Sequence, residues 1–342
     1  MEGRPRTALD LFSGTSRVGH AVKREGVRVH ANDHNAYAHA LAGCYVAADA
    51  RRWRGPAERL IAELDALPGR AGWFTETYAV RSRYLRPENA ARAEAIRRRI
   101  AALSLEPALE AIALTSLIEA ADRVDSTVGL QMAYLKAWAP RALQPLRLRL
   151  PEILDGEGQA TCLEAREAAE RFEADVAYLD PPYNQHSYLG NYHVWETLAR
   201  GDEPDVYGVA CKRADVRERG SAFNRRSTME RAFADVLASV RARRLVASFN
   251  DEGYLALPRL RELLRRRGAV REISVEHPRY IGHKIGVYNP RGEKVGTPGA
   301  AKNREHLFVV ECEAAGACST PAARSSGAAA GRATSTPSNC RS

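Results

Sequence analysis

The sequence predicts an α/β fold of the Rossmann-like type, with one sheet and a helical insertion. Strand-like runs alternate with helical patterns in residues 7–33 and again in residues 159–310. A glycine-containing loop separates the first strand from the first helix. Between the two α/β regions, residues 57–150 show only helical periodicity, which is typical of an insertion between two halves of a sheet.

Length and composition narrow the class of protein. The chain has 342 residues, enough for one large or two ordinary domains, and a net charge of +9 that favours nucleic-acid partners. We find no apolar run that could span a bilayer and no leader, so we predict a cytoplasmic protein without membrane contact. The scattered cysteines predict free thiols and no metal site. They are Cys44, Cys162, Cys211, Cys312, Cys318 and Cys340.

The N-terminal region predicts a unit that binds a nucleoside cofactor. Residues 7–12 predict a strand, a loop with Gly14 and Gly19 follows, and a helical pattern continues to Gly26. In Rossmann-like units such a loop lets the backbone approach a ligand that faces the helix N-terminus. The three-glycine pattern that binds a pyrophosphate is absent. S-adenosylmethionine is therefore favoured over a nicotinamide dinucleotide.

Two acids strengthen this interpretation. Asp10 lies in the first strand, and Asp33 directly follows a second predicted strand, residues 27–32. An acid about 20 residues beyond the glycine loop is placed to bind ribose hydroxyls. The alternative for Asp33 is an ordinary N-cap of the next helix.

Residues 57–150 predict a basic helical region. We expect helices over 57–67, 88–103, 107–124 and 127–138. An arginine-rich face interleaved with aromatics suits a phosphate backbone, and the alternative is a solvated helix face. The residues concerned are Trp73, Tyr78, Arg81, Arg83, Tyr84, Arg86, Arg92, Arg97, Arg98 and Arg99.

The main candidate for chemistry is the loop Asp180-Pro181-Pro182-Tyr183. It follows a predicted strand, residues 176–179, which the prolines end because they cannot donate ladder hydrogen bonds. A carboxylate and a rigid carbonyl can accept the N–H groups of an exocyclic amine, which localises the amine lone pair. Tyr183 offers a ring on which a flipped-out base can stack. The alternative is an ordinary turn after a strand.

The other elements fit the same α/β pattern. A short strand is predicted to end at Glu164, and the aromatic residues Tyr188, Tyr192 and Trp195 are predicted to pack in the core. Residues 200–230 predict a mobile, basic, phosphate-contacting arm. Its cations are Lys212, Arg213, Arg217, Arg219, Arg225 and Arg226. Final strands are expected at 270–275 and 306–310, with a basic loop over 279–294 between them and a disordered tail at 313–342.

With both halves placed, the chain resembles the DNA N6-adenine methyltransferases of the class called D12. The matching stretches are residues 10–15 for the cofactor loop and 180–183 for the catalytic loop, in the same order with an insertion between them. The resemblance implies a Rossmann-like S-adenosylmethionine-dependent methyltransferase sheet with a helical insertion. The implied catalytic domain comprises residues 1–56 and 151–312, and the implied target-recognition region is 57–150.

The resemblance also implies a role for each matching residue. Phe12 and Gly14 would pack on S-adenosylmethionine, and Asp10, Asp33 and Glu164 would hold its methionine amine, ribose and adenine. Asp180 would contact both cofactor and target. The catalytic set would be Asp180, Pro181, Pro182 and Tyr183, with Asp180 and the Pro181 carbonyl accepting from the N6 amine and Tyr183 stacking on the flipped adenine. The implied reaction is direct methyl transfer without a covalent enzyme intermediate.

The chain departs from the class at two points. Ser16 stands where the class usually has glycine, which is expected to tighten the loop. An upstream segment with lysine and glycine is not found, so we expect either a start placed too far downstream or a reduced cofactor affinity. DNA is the implied partner, and the sequence leaves open whether a restriction endonuclease is paired with it. The alternatives are methylation of cytosine N4 or of an RNA amine, or a catalytically impaired DNA-binding module.

Overall fold

The structure is a computed structural model that describes residues 3–251, 253–278 and 302–313, and its centre is a seven-stranded sheet. The strands of this sheet lie in the order β3-β2-β1-β4-β7-β9-β8. The strands are β1 Thr7–Asp10, β2 Arg28–Asn32, β3 Gln159–Thr161, β4 Glu173–Leu179, β7 Arg241–Asn250, β8 Gly268–Pro278 and β9 Lys302–Cys312. A separate antiparallel pair consists of β5 Val206–Tyr207 and β6 Lys212–Arg213.

Helices connect the strands and make up most of the insertion. The first six are α1 Arg17–Arg24, α2 Ala36–Ala42, α3 Ala50–Asp65, α4 Trp73–Thr75, α5 Pro87–Ala102 and α6 Pro107–Arg123. The others are α7 Ala165–Arg171, α8 Tyr188–Asn191, α9 His193–Arg200, α10 Met229–Ser239 and α11 Leu257–Arg265. Wider π-helical turns occupy Gly43–Ala47 and Glu76–Val80, and 3₁₀ turns occupy Pro140–Leu143, Ala214–Arg217 and Ala222–Asn224.

The sheet reverses its strand order between β1 and β4. The pairs β1–β2, β2–β3, β1–β4 and β4–β7 are parallel, whereas β9 is antiparallel to both β7 and β8. Asp10 pairs in register with Tyr178, so Asp180 lies just beyond the end of β1. A crevice at the carboxyl ends of the strands opens at such a switch point, and ligands bind there in open α/β sheets.

Two hydrophobic clusters cover the sheet. One joins β1, β4, β7 and β9 to α7, α10 and α11, and Phe249 and Phe308 are fully buried in it. The other joins α2 and α9 to the insertion helices α3, α5 and α6. The insertion therefore packs against the catalytic half, and α3 itself crosses the expected boundary at residue 56. The division into residues 1–56 with 151–312 and residues 57–150 stays a prediction.

Three predicted insertion helices are confirmed, and the fourth, over 127–138, is wrong. Residues 127–138 instead follow turns, because Thr127 Oγ1 accepts the N–H of Gly129 at 3.0 Å and Gly129 adopts a φ of +96°. Both features interrupt helical hydrogen bonding. The strands predicted at 270–275 and 306–310 are confirmed within β8 and β9.

The proposed arginine-aromatic face is wrong for Tyr78, Tyr84, Arg92 and Arg97, and it stays a prediction for its exposed arginines, among them Arg98 and Arg99 at 47% and 44% exposure. Tyr78 and Tyr84 are buried in the insertion core. Arg97 donates to the Leu198 and Ala199 carbonyls at the end of α9. Three further arginines form ion pairs within the insertion: Arg92 with Asp65, Arg98 with Glu94 and Arg99 with Glu63. These cations hold the insertion together, since each already has an acceptor.

Several sequence predictions concern other parts of the chain. The basic loop 279–294 and nearly all of the tail lie outside the described residues. Cys44, Cys162, Cys211 and Cys312 are free thiols. Within the described ranges, no helix combines the length and apolar character needed to cross a membrane.

Candidate active site

A cavity of about 320 Å³ opens at the switch point between β1 and β4. Seven of the nine predicted site residues line it: Asp10, Phe12, Gly14, Asp33, Glu164, Asp180 and Pro182. Pro181 and Tyr183 belong to the same loop but do not line the cavity. One cavity therefore brings together the cofactor-loop residues and the catalytic loop, which are separated by more than 140 residues of sequence.

Asp10 is a buried carboxylate with one oxygen available. Its Oδ2 accepts the Gly19 N–H at 3.0 Å, while its Oδ1 is buried without a partner among the described residues. Gly19 permits this approach, because a Cβ there would lie 3.0 Å from both Asp10 Oδ2 and Val46. Burial raises the pKa of Asp10 to about 7, with smaller contributions from Asp180 and Asp33 and against the Gly19 hydrogen bond. A bound cation would favour its ionised form.

The Asp33 carboxylate binds the backbone of the glycine loop. The Gly14 N–H, at a backbone φ of +49°, donates to Asp33 Oδ2 at 3.0 Å. Asp33 Oδ1 accepts from the backbone and side-chain amides of Asn35 at 2.9 and 3.0 Å. The residue at the N-cap of α2 is Asn35, so the N-cap alternative for Asp33 is wrong. Its carboxylate is fixed at the cavity wall, and Glu164 faces the same cavity from the start of α7.

Ser16 adopts the conformation that glycine favours. Its φ is +58°, in the left-handed region, and its buried hydroxyl has no partner among the described residues. Side chains with a Cβ adopt this region at a cost. The structure thus gives a physical reason for glycine at this position in the D12 class.

Asn32 is a functional residue that the sequence analysis missed. Its side chain donates to the carbonyls of Leu11 and Leu163, and its Oδ1 accepts from Thr161 Oγ1 and the Leu163 N–H. It therefore ties the ends of β1 and β3 to β2. The available signal was a buried amide directly before Asp33.

Asp180 lies on the cavity floor at the end of β4. Burial raises its pKa to about 7, Glu305 raises it further, and a hydrogen bond from the Tyr178 hydroxyl at 3.4 Å opposes the shift. Glu305 was not predicted. It pairs with Asn250 across the β7–β9 ladder, 125 residues away from Asp180 in sequence, so no local pattern could indicate it.

The Tyr183 side chain is fixed beside the cavity. Its hydroxyl accepts from Asn250 Nδ2 at 2.9 Å, and its ring packs on Phe249 at 6.0 Å between centroids. The Tyr254 N–H donates to the Tyr183 carbonyl at 2.8 Å. Contacts from β7 and from the β7–α11 connection therefore hold the catalytic loop in place.

Two tyrosines that were predicted to pack in the core line the cavity, and Tyr192 also packs against the cluster of α2, α9 and the insertion helices. Tyr188 and Tyr192 are stacked at 6.4 Å with an interplanar angle of 13°, and Tyr188 is 50% exposed. The core prediction is wrong for Tyr188 and is confirmed for Trp195, which is 4% exposed. The short helix α8, where Ser187 accepts the Gly190 N–H, aims Tyr188 at the cavity.

Residues 214–226, here called the cover segment, fold back over the cavity. Arg213, only 1% exposed, pairs with Asp202 and Asp215, and Arg219 pairs with the fully buried Glu196. Because these cations are already paired, the prediction of a mobile phosphate-contacting arm is wrong for them. Phe223 meets Phe12 of the cofactor loop edge-to-face at 5.1 Å.

The fold and the cavity define a class of protein: a Rossmann-like methyltransferase in which acidic residues around a glycine-containing loop share a cavity with an Asp-Pro-Pro-Tyr loop. The sequence profile of the D12 class N6 adenine-specific DNA methyltransferases matches residues 2–249. The chain belongs to this family and is a DNA methyltransferase.

Curated relatives agree with this assignment. Over 285 residues the chain is 28% identical to "Type II methyltransferase M.NlaIII" of Neisseria lactamica. This alignment covers 80% of this chain and 84% of that protein. The chain is 25% identical over 307 residues to "Modification methylase LlaI" of Lactococcus lactis subsp. lactis, in an alignment that covers 84% of this chain and 49% of that protein. For "Type II methyltransferase M.FokI" of Planomicrobium okeanokoites the identity is 34% over 191 residues, or 54% and 29% of the two chains. The chain thus spans less than half the length of the last two relatives.

Proposed function

We propose that the cavity binds S-adenosylmethionine and that the Asp180 loop presents the N6 amine of a flipped-out DNA adenine to it. When bound, this cofactor supplies an electrophilic methyl group on a sulfonium. The observation that carries the proposal is the single cavity in which Asp10, Gly14 and Asp33 face Asp180.

The donors and acceptors at the cavity fit such a cofactor. Three buried polar atoms without partners among the described residues belong to cavity-lining side chains: Asp10 Oδ1, Ser13 Oγ and Asn35 Oδ1. Buried polar groups are normally hydrogen-bonded, so these atoms indicate a polar ligand. Asp10 suits an ammonium group, Asp33 a pair of ribose hydroxyls and Glu164 an adenine amine.

The catalytic loop suits a neutral aromatic amine. Asp180 and the Pro181 carbonyl accept its two N–H groups, so the lone pair is drawn out of the ring and directed at the cavity. The amine loses one proton when it is methylated, and the Asp180 carboxylate, whose pKa is about 7, is able to hold that proton. Tyr183 supplies a ring face for the extruded base.

We infer that target recognition belongs to the insertion, residues 57–150. Its turn-rich part, residues 125–139, contacts the end of α8, the helix that follows the catalytic loop, since the Gln131 N–H donates to the Asn191 carbonyl at 2.7 Å. The Gln131 side chain also accepts the Val194 N–H at 2.8 Å. The names of the relatives favour pairing with a restriction endonuclease.

Labelled methyl transfer tests the proposal. The purified protein is incubated with labelled S-adenosylmethionine and unmethylated genomic DNA, and the nucleosides are separated by mass spectrometry. We expect label in N6-methyladenine. Label in N4-methylcytosine alone, or transfer to RNA and not to DNA, would contradict the adenine assignment. Calorimetry on the free protein measures cofactor binding separately from transfer.

A further inference from the structure

The catalytic loop has a second backbone support that neither the motif nor the family assignment indicates. Asn224, in the cover segment, donates through Nδ2 to the Asn184 carbonyl at 2.8 Å and to the His186 carbonyl at 3.1 Å. These carbonyls belong to the residues that directly follow the Asp-Pro-Pro-Tyr loop. One side chain therefore fixes two alternate peptide groups of the chain that leaves the catalytic loop.

This support complements the one from β7. Tyr254 binds the Tyr183 carbonyl through its N–H and the Gln185 side chain through its hydroxyl, at 2.8 and 3.1 Å. The two supports thus act on alternating residues, 183 and 185 from one element and 184 and 186 from another. Without Asn224, the chain after Tyr183 would keep contacts mainly with the Tyr254 element.

The Asn224 side chain is itself presented by a rigid turn. Ser221 Oγ accepts the Phe223 N–H at 3.2 Å, and the Ser221 carbonyl accepts the Asn224 N–H at 3.1 Å. The Thr228 hydroxyl closes the turn by donating to the Ala222 carbonyl. A short polar turn with these internal bonds leaves Asn224 little freedom to move away.

The neighbouring residue connects the same turn to the cofactor loop. Phe223 is 7% exposed and contacts the ring of Phe12 edge-to-face at 5.1 Å. Phe12 lies two residues beyond β1 and lines the cavity. Two consecutive side chains, Phe223 and Asn224, therefore contact the cofactor loop and the residues that follow the catalytic loop, respectively.

We propose that Asn224 is a positioning residue for methyl transfer, and that Phe223 links the catalytic loop to the cofactor loop through the same turn. The proposal rests on the proposed function, because it assigns Asn224 a role in placing Asp180 and the Pro181 carbonyl. Displacement of a reacting group by about 1 Å can cost roughly a hundredfold in rate. Asn224 also lines the cavity, so rates are compared at saturating S-adenosylmethionine, where a change in cofactor affinity does not contribute.

The test compares Asn224→Ala and Asn224→Asp in the full chain. The aspartate variant keeps the shape of the side chain but loses both donors. We expect both variants to lower the single-turnover transfer rate by about tenfold to a hundredfold, with the calorimetric Kd for S-adenosylmethionine within about threefold of wild type. A near-normal rate for Asn224→Asp would show that the hydrogen bonds do not position the loop, and it would overturn the proposal.

Arg267→Ala is the matched control. Like Asn224, Arg267 is half-buried and donates to two alternate backbone carbonyls, those of Ala238 and Val240 at 3.4 and 2.8 Å, but these precede β7 at the end of the sheet away from the cavity. We expect this variant to lower the Tm as Asn224→Ala does while it leaves the transfer rate within about twofold. An equal loss of rate in both variants would mean that Asn224 acts through stability alone, which contradicts the proposal.

A second readout does not depend on catalysis. Hydrogen exchange followed by mass spectrometry reports the amides of residues 183–192 in the free protein. We expect faster exchange there in Asn224→Ala and unchanged exchange in Arg267→Ala. If wild type transfers no methyl group, the proposed function fails, yet this measurement still decides whether Asn224 holds the loop. Unchanged exchange in Asn224→Ala would overturn the support itself.

The link through Phe223 is tested by a double variant. If Phe223 and Asn224 act through one turn, Phe223→Leu with Asn224→Ala should lose less rate than the product of the two single losses. Losses that multiply would show independent action and would overturn the link, while the role of Asn224 alone would stand.

Discussion

The two halves of the cavity are held together in different ways. On the cofactor side, the supporting contacts join residues that are close in sequence: Gly19 with Asp10 across nine residues, and Gly14 with Asp33 across 19. On the catalytic side, Asn250 reaches Tyr183 across 67 residues, and Asn224 reaches Asn184 across 40. The first half is therefore a local motif, whereas the second is assembled by the tertiary fold.

The two halves of the cavity also differ in the charged groups that surround their buried carboxylates. Asp10 and Asp180 are both buried, and the pKa of each is raised to about 7. Asp10 receives a backbone N–H from its own helix, which favours its ionised form. Asp180 interacts electrostatically with the carboxylate of Glu305, which opposes the ionisation of Asp180. The other ionisable groups near Asp180 are Asp10 and the hydroxyls of Tyr178, Tyr183 and Tyr188. Burial therefore raises the pKa of both carboxyl groups to a similar value, but the groups around them differ: a neighbouring Glu305 charge acts on Asp180, and a backbone hydrogen bond acts on Asp10.

The largest expected effect comes from removing the catalytic carboxylate. Asp180→Ala takes away one acceptor of the target amine, and we expect methyl transfer to fall by on the order of a thousandfold or more. The fold should remain, since the hydrogen bonds of the Asp180 side chain to the described residues amount to one, at 3.4 Å from the Tyr178 hydroxyl. Filter-bound label from single turnovers measures the rate, and circular dichroism checks the fold. Near-normal turnover would show that Asp180 does not have this role.

The next prediction concerns the stability of the cofactor side of the cavity, where β1, β2 and β3 are joined by local contacts. Asn32→Ala removes four hydrogen bonds that join β1, β2 and β3, and we expect the free energy of unfolding to fall by about 3 kcal/mol. Thr161→Val removes one bond of this set and should cost about 1 kcal/mol. Urea unfolding provides both values. Equal losses in the two variants would mean that Asn32 is not the centre of the network.

The pH dependence of transfer tests the electrostatic difference. Asp180 accepts the amine as a carboxylate, so the rate should rise as the pH increases through about 7. Glu305→Gln removes a neighbouring negative charge and lowers the pKa of Asp180. The rate at pH 6, relative to that at pH 8, should then increase by about twofold to fivefold.

Glu311→Gln is the control for this pH profile. Glu311 lies on the same strand, but its carboxylate binds Arg244 at 2.6 Å. The pH profile of methyl transfer by the Glu311→Gln variant should match that of wild type. A Glu305→Gln profile that moved to higher pH would have the wrong sign and would contradict the proximity of Glu305 to Asp180.

The same difference explains what the sequence could predict. Asp10, Gly14 and Asp33 were found because their order and spacing are local and because the strand–loop–helix pattern is regular. Asp180 was found because two prolines must end a buried strand. Glu305 and Asn224 were not found, since their roles come from strand register and from a turn that packs on a distant loop.

The errors have a related cause. Arginines in a helix were predicted to contact phosphates, but Arg92 and Arg97 bind groups from distant parts of the chain, at Asp65 and Leu198. Likewise, Tyr188 lies at helical spacing from Tyr192 yet faces the cavity, because α8 is a single short turn. Periodicity indicates that a side chain has neighbours, whereas the tertiary fold decides which ones.

The smallest expected effect concerns the one strained position of the cofactor loop. Ser16→Gly relieves a left-handed backbone and removes a buried hydroxyl without a partner among the described residues. Glycine also gains conformational entropy in the unfolded chain, which offsets part of the benefit. We expect a net stabilisation of about 1 kcal/mol, measured as an increase in the urea midpoint.

Ser104→Gly separates the two contributions. Ser104 also has a left-handed φ, +45°, but it is exposed in the turn between α5 and α6. Its replacement relieves the backbone without removing a buried hydroxyl, so we expect a smaller gain than at Ser16. Equal gains would mean that the buried hydroxyl has no cost. A loss of stability at Ser16 alone would mean that its side chain supports the loop, and the cofactor half would then depend on more than its backbone.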